Sequence, residues 1–282
     1  MDKRRIFKRI GWSLLAVVIV LCVAFVVWYK ANEKRFLYHA NAESIVPEDS
    51  LRLKYEEVSI ESSDGAKLVC GVFPAQRADT TLAWILYLHG NGDVDRDDIA
   101  RCKFFHELGV NVLAVQYRGF GKSTGEPSEI GLYADAEASY NFLRTVKGVA
   151  PSKIVLYGHS MGSAIAVELA GKVPAAGIAL EGAFTSMVAV YGVHYRYIPW
   201  SLLNSERFES IERISGVTIP KMFIHASDDE AVPISQGQEL FAKAVEPKSF
   251  LEIKGGHNHA PTADQEKYVA ALSQFFQKVF RR

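Results

Sequence analysis

The sequence predicts an α/β protein in which a mostly parallel sheet is covered by helices on both faces, carries a small lid and follows one transmembrane helix. Three observations predict it. From about residue 82 onward, short apolar runs alternate with amphipathic helical stretches, the pattern of strands buried on both faces. One run, Ile154 to Tyr157, leads directly into Gly158-His159-Ser160-Met161-Gly162 and a helix, and Ile10 to Tyr29 carries no charge. The composition is that of a folded chain, 282 residues with 49% hydrophobic and 23% charged, and three cysteines are too few for a disulfide scaffold. Basic and acidic residues stand at 32 each, but five basic and one acidic residue fall in the first nine. The body is therefore mildly acidic and has no electrostatic footprint for nucleic acid.

In chain order, residues 1–9 form a basic segment and residues 10–29 a transmembrane anchor. Twenty helical residues span ~30 Å, one bilayer core. Trp12 stands near one end, and Trp28 and Tyr29 at the other, where amphipathic rings favour the water interfaces. A cleaved signal peptide has a shorter apolar region and a small-x-small site, and no such site surrounds Trp28, Tyr29 and Lys30. Lys3, Arg4, Arg5, Lys8 and Arg9 precede the span against Lys30, Lys34 and Arg35 after it. That bias places the N-terminus in the cytoplasm and the body on the exocytoplasmic side. The absence of any Asn-x-Ser/Thr acceptor favours a bacterial inner membrane facing the periplasm over a eukaryotic lumen.

Residues 30–54 read as a polar connector broken at Pro47-Glu48-Asp49-Ser50, and residues 55–282 as the body. Tyr55 to Glu61 and Lys67 to Phe73 flank Ser62-Ser63-Asp64-Gly65, whose Asp-Gly pair suits a tight antiparallel hairpin at the sheet edge. The alternation then runs through a strand at Leu82 to Leu88, a helix near Asp95 to Leu108, a strand at Val110 to Val115 and a helix near Ser128 to Lys147. It continues with Ile154 to Tyr157, a helix from Met161 to Ala170, and strands at Gly177 to Leu180 and Lys221 to Ile224. A helix near Ser235 to Val245, a strand at Phe250 to Ile253 and a helix closing at Val279 complete it. The longest break, about 181–220, reads as a lid rich in Tyr191, Tyr195, Tyr197 and Trp200.

Gly-x-Ser-x-Gly between a strand and a helix lifts the serine out of the sheet on a sharp turn that needs small neighbours. A serine hydroxyl is a poor nucleophile and needs a base, which in turn needs an orienting carboxylate. Downstream of Ser160, one strand ends in His225-Ala226-Ser227-Asp228-Asp229-Glu230-Ala231-Val232-Pro233 and another in Lys254-Gly255-Gly256-His257. Open parallel sheets place their sites at such strand ends. Upstream, His89-Gly90-Asn91-Gly92 offers a backbone N–H beside that of Met161 for an oxyanion hole.

These segments, with Tyr117-Arg118-Gly119-Phe120-Gly121-Lys122-Ser123-Thr124-Gly125-Glu126-Pro127-Ser128, resemble the α/β-hydrolase superfamily. More narrowly, from about residue 36 onward, they resemble its membrane-associated α/β-hydrolase domain-containing serine hydrolases. The resemblance implies Ser160 as nucleophile, Asp229 as acid, His257 as base, and the N–H groups of Asn91 and Met161 as oxyanion donors. It implies cleavage of carboxylic esters or acyl-thioesters of small-molecule or lipid-like acyl substrates, with no metal or organic cofactor. It selects Asp229 by counting back from Val232-Pro233, leaving Asp228 and Glu230 as solvated loop residues. Ala226 departs from the glycine common at that position in the family. A serine peptidase of the same fold and a non-catalytic membrane-bound interaction protein are the alternative readings.

Other chemistry-bearing residues have plainer readings. His257 and His259 form His-x-His, but no third ligand stands at a metal spacing. His89 and His159 read as loop-holding hydrogen bonders, and Cys70 and Cys102 as buried thiols that an oxidising compartment could bridge. Arg118 and Lys122 read first as structural partners of their loop and second as contacts for an acidic head-group. The Gly119-x-Gly121 run lacks the residues of a nucleotide site. The lid aromatics suit either an acyl chain entering from the bilayer or a small core of their own.

Overall fold

The computed structural model describes residues 3–40, 53, 55–76, 83–92, 94 and 96–280; the Pro47 to Ser50 break of the connector lies outside the described residues. Helix α1 (Lys3–Leu37) is long and apolar enough to cross a membrane by length and composition. Every side chain from Phe7 to Trp28 is exposed, and Tyr29 is the first to be buried. The helix runs eight residues beyond the uncharged stretch, into the segment read as connector. Residues 30–37 contain neither Gly nor Pro to stop it, and its last turns gain partners in the body.

Strands β1 (Glu56–Glu61) and β2 (Lys67–Phe73) form the antiparallel hairpin, with Gly65 at φ +87° in the turn. Strand β3 (Trp84–Leu88), helix α2 (Arg96–Glu107), strand β4 (Asn111–Val115) and helix α3 (Glu129–Thr145) follow. The Ser128 hydroxyl caps α3 by accepting the N–H of Gly131 at 3.2 Å, a device worth about 1 kcal/mol. Then come β5 (Ile154–His159), α4 (Met161–Ala170) and β6 (Gly177–Glu181). Short helices α5 (Met187–His194), α6 (Trp200–Leu203) and α7 (Ser210–Arg213) fill the lid region, before β7 (Lys221–Ala226), α8 (Ile234–Lys243) and β8 (Lys248–Ile253). The C-terminal helix expected as one element is divided into α9 (Gly256–Ala263) and α10 (Gln265–Phe280).

The strands form one sheet in the order β1-β2-β4-β3-β5-β6-β7-β8. The β1–β2 and β2–β4 pairs are antiparallel, and all pairs from β4 to β8 are parallel. Side chains alternate between its faces. Leu86 and Leu88 join one core with α3 and α4, whereas Ile85 and Tyr87 join the other with α2 and α10. Each fully buried aliphatic side chain contributes roughly 1.5–3 kcal/mol, so these two layers set the rigidity of the strand ends that carry the site.

Three expectations are refined. Strands β5, β6 and β7 each run on to His159, Glu181 and Ala226, so Glu181 ends a buried strand and does not open the lid. Residues 182–187 are buried as well. Cys70 and Cys102 are free thiols in different cores, on opposite faces of the sheet, and cannot bridge. Trp200 and Leu203 pack with Tyr29 of α1, so the lid's small core is shared with the long helix.

Candidate active site

Strand β5 delivers Ser160 to a turn at φ 53°, ψ −121°, a strained conformation for a residue with a side chain. Close packing demands the flanking glycines. A Cβ at position 158 would lie 2.2 Å from the Gly162 carbonyl oxygen, and one at position 162 only 2.0 Å from that of Leu88. The Ser160 N–H donates to the Glu181 carbonyl at 2.8 Å, which ties the turn to the neighbouring strand.

The expected residues meet. Ser160 Oγ is 2.8 Å from His257 Nε2, and His257 Nδ1 is 2.7 Å from Asp229 Oδ2. The other Asp229 oxygen accepts the N–H groups of Ala231 at 2.9 Å and Val232 at 2.7 Å. Two backbone donors thus aim the carboxylate at the imidazole. Asp228 is not merely solvated: its Oδ1 accepts the N–H groups of Gly255 at 3.0 Å and Gly256 at 3.1 Å, which hold its carboxyl below the usual range and pin the turn before His257. His225 Nε2 donates to the Val232 carbonyl at 2.8 Å and lies 3.5 Å from Asp229 Oδ2. Burial pushes the His225 pKa down and favours its neutral ring.

On the other side of Ser160, a Cβ at Gly90 would lie 3.4 Å from the serine Cβ. Asn91 follows in the same loop, and Met161 is the first residue of α4, where N–H groups have no intrahelical acceptor. The Asn91 side chain turns away from the serine: Nδ2 donates to the Leu37 carbonyl at 3.1 Å, while the Asn91 carbonyl accepts the His39 N–H at 3.0 Å. The end of α1 therefore braces this loop. A cleft of about 160 Å³ opens between Gly90, Asn91, Ser160, His257 and Asn258.

Beneath the cleft lies a polar layer that periodicity does not reveal. Arg101 of α2 and Glu181 are both almost wholly buried and pair at 2.6 Å. The hydroxyl of Tyr157 also donates to the Glu181 carboxylate. Burial alone would raise the Glu181 carboxyl, but Arg101 outweighs it and holds the pKa at about 2. Arg101 Nη2 also donates to the Asn258 carbonyl at 2.9 Å, and His159 Nε2 to the His257 carbonyl at 3.1 Å. Burial first, and Arg101 second, hold the His159 pKa far below its usual value, so its ring is a neutral donor. Gly182, at φ +57°, makes room for the imidazole; a Cβ there would sit 3.1 Å from His257 Cε1. The one available sequence signal was Glu181 itself, a lone charge closing an apolar strand.

Several residues serve elsewhere. Arg118 is buried and binds Asp135 and Asp64, with Nη2 2.8 Å from Asp135 Oδ1. Lys122 pairs with Glu57 at 2.7 Å. His259 pairs with Asp97 at 3.1 Å, and among the described residues no cluster of His, Cys, Asp and Glu could hold a metal ion.

Residues 85–213 match the model of the Alpha/beta hydrolase family. An uncharacterized protein of Mycobacterium tuberculosis is 33% identical over 264 residues, covering 93% of each chain. Alpha/beta hydrolase domain-containing protein 17B of Homo sapiens is 34% identical over 198 residues, covering 68% of this chain and 65% of that one. An esterase of Pyrococcus furiosus superposes with a TM-score of 0.71 at 19% identity, over 86% of this chain and 99% of that chain, a likeness of fold. With the eight-stranded sheet and the strand-turn-helix around Ser160, these similarities show that the chain belongs to the alpha/beta hydrolase family.

Proposed function

We propose that the protein is a membrane-anchored serine hydrolase that cleaves carboxylic esters or acyl-thioesters of lipid-like or acylated substrates through an acyl-enzyme on Ser160. The observation that carries this reading is the hydrogen-bonded chain from Ser160 through His257 to Asp229, with links of 2.8 Å and 2.7 Å. His257 Nε2 takes the serine proton as Oγ attacks the acyl carbon. The N–H groups of Asn91 and Met161 stabilise the oxyanion, and the imidazolium then protonates the leaving group. Asp229 keeps the proton on Nδ1 throughout, because its second oxygen is fixed by two N–H donors. Water releases the acyl group by the same steps in reverse. Helix α1 is read as the anchor, and the cationic bias before it supports a body on the exocytoplasmic side.

The test is labelling of the detergent-solubilised chain with a fluorophosphonate, read by intact mass beside Ser160→Ala and a panel of acyl esters of increasing length. One adduct that disappears in the variant is expected. Folded wild-type protein that takes no label would instead support a family member with an idle site.

A further inference from the structure

The junction of α1 with the lid fixes where the lid stands. Tyr29, the last residue of the uncharged stretch, donates its hydroxyl to Asn204 Oδ1 at 2.7 Å and packs on Trp200 with ring centroids 5.7 Å apart. One residue later, Lys30 Nζ reaches Ser205 Oγ at 2.9 Å. Glu33 accepts the N–H groups of Ser205 and Glu206, the latter at 3.1 Å, and the Tyr38 hydroxyl donates to Glu206 at 2.6 Å. Segment 200–206 is thereby locked to the turn of α1 at which an inserted helix leaves the hydrocarbon. Whatever touches that turn stands at headgroup depth.

The surface of this lid exposes four large hydrophobic side chains among polar ones. Val193, Tyr195, Tyr197 and Leu202 are 50%, 57%, 91% and 78% exposed. Outside α1, the only other exposed large hydrophobic side chains among the described residues are Ile130, Val146 and Val245. Tyr195 lies against Trp200 with centroids 5.9 Å apart, and Leu202 is on the same short helix as Trp200, so both adjoin the Tyr29 contact. Arg196 stacks over Tyr197 at 5.5 Å and is exposed. Exposed Tyr and Leu beside a cation, held next to the end of an apolar helix, match the chemistry of a bilayer interface.

We propose that this face of the lid, through Tyr195, Tyr197 and Leu202, is a second membrane contact that rests in the headgroup layer of the bilayer α1 enters. It rests on the reading of α1 as a transmembrane anchor.

The experiment uses the full chain in nanodiscs of phosphatidylcholine and phosphatidylglycerol. In a Cys22→Ser background, where the remaining Cys70 and Cys102 are buried, variants Val20→Cys, Tyr197→Cys, Leu202→Cys and Val146→Cys each offer one exposed thiol for a small fluorophore. Val146, at the end of α3 remote from Glu129, is the aqueous control. Quenching is read with lipids spin-labelled near the headgroup, with lipids spin-labelled deep in the acyl chain, and with iodide. Positions 197 and 202 are expected to be quenched several-fold more by the shallow lipid than position 146, and position 20 by the deep lipid. If 197 and 202 behave like 146 while 20 is lipid-quenched, the lid contact is overturned and the anchor stands. If 20 also responds only to iodide, both readings fall.

Discussion

Arg101 and Glu181 form an ion pair with 1% and 3% of their side chains exposed, and Glu181 also receives the Ser160 N–H on its main-chain oxygen. The pair thus joins the Ser160 turn to the His257 loop, because Arg101 also grips the Asn258 carbonyl. Removing one partner leaves a buried charge uncompensated, so Arg101→Met is expected to destabilise the fold by ~3–5 kcal/mol. Arg101→Met combined with Glu181→Gln is expected to recover much of that loss. Denaturant midpoints of the single and double variants in detergent check the coupling.

Asp229 and Asp228 are adjacent but differ in task. Asp229→Asn is expected to lower turnover by ~10⁴-fold, because an amide no longer fixes the imidazole tautomer. Asp228→Asn keeps an acceptor oxygen for Gly255 and Gly256 and is expected to cost less than tenfold. Ester turnover of the two variants decides between them, and a greater loss at position 228 would shift the acid by one residue.

Acid is expected to weaken the fold in two windows. The buried rings of His159 and His225 have pKa values below 6.5, so the unfolded chain binds more protons and stability falls as pH drops below about 6.5. Glu181, held at about 2 against an ordinary 4.5, adds stability that is full above about 4.5 and is lost as pH falls toward about 2. Thermal midpoints from pH 8 to pH 3 should show both declines, and Glu181→Gln should flatten the lower one.

Trp200 was open to two readings, an acyl-chain contact or part of a small core. Its ring lies between Tyr29 and Tyr191, and its Nε1 donates to the Tyr195 carbonyl at 3.0 Å. Trp200→Ala is therefore expected to loosen the junction of lid and α1 by ~3 kcal/mol and to lower short-chain and long-chain ester turnover together. A selective loss on long chains would return the ring to the acyl-chain reading.

What was legible in the sequence follows from local rules. Gly158 and Gly162 could be read because a turn with carbonyl oxygens about 2 Å from a notional Cβ admits no side chain. The strands could be read because both faces of the sheet are covered. The Arg101–Glu181 pair could not, since 80 residues separate partners that look like ordinary surface charges. Glu33 and Tyr38 likewise sat in a polar stretch, and only the fold brings residues 205 and 206 to them.

Hydrogen bonds from Asn91 to Leu37 and from His39 to Asn91 join the end of α1 directly to the loop beside Ser160. A helix that enters a bilayer and ends in such a joint removes the tumbling of the body about axes in the membrane plane. With α1 in a bilayer as proposed, the mouth of the Ser160 cleft would keep one height above the lipid and one heading, while the molecule would spin only about the membrane normal. On that proposal, a change in bilayer thickness that tilted the helix would be transmitted to the Asn91 loop as torque, and lipid composition would become a mechanical input to the site.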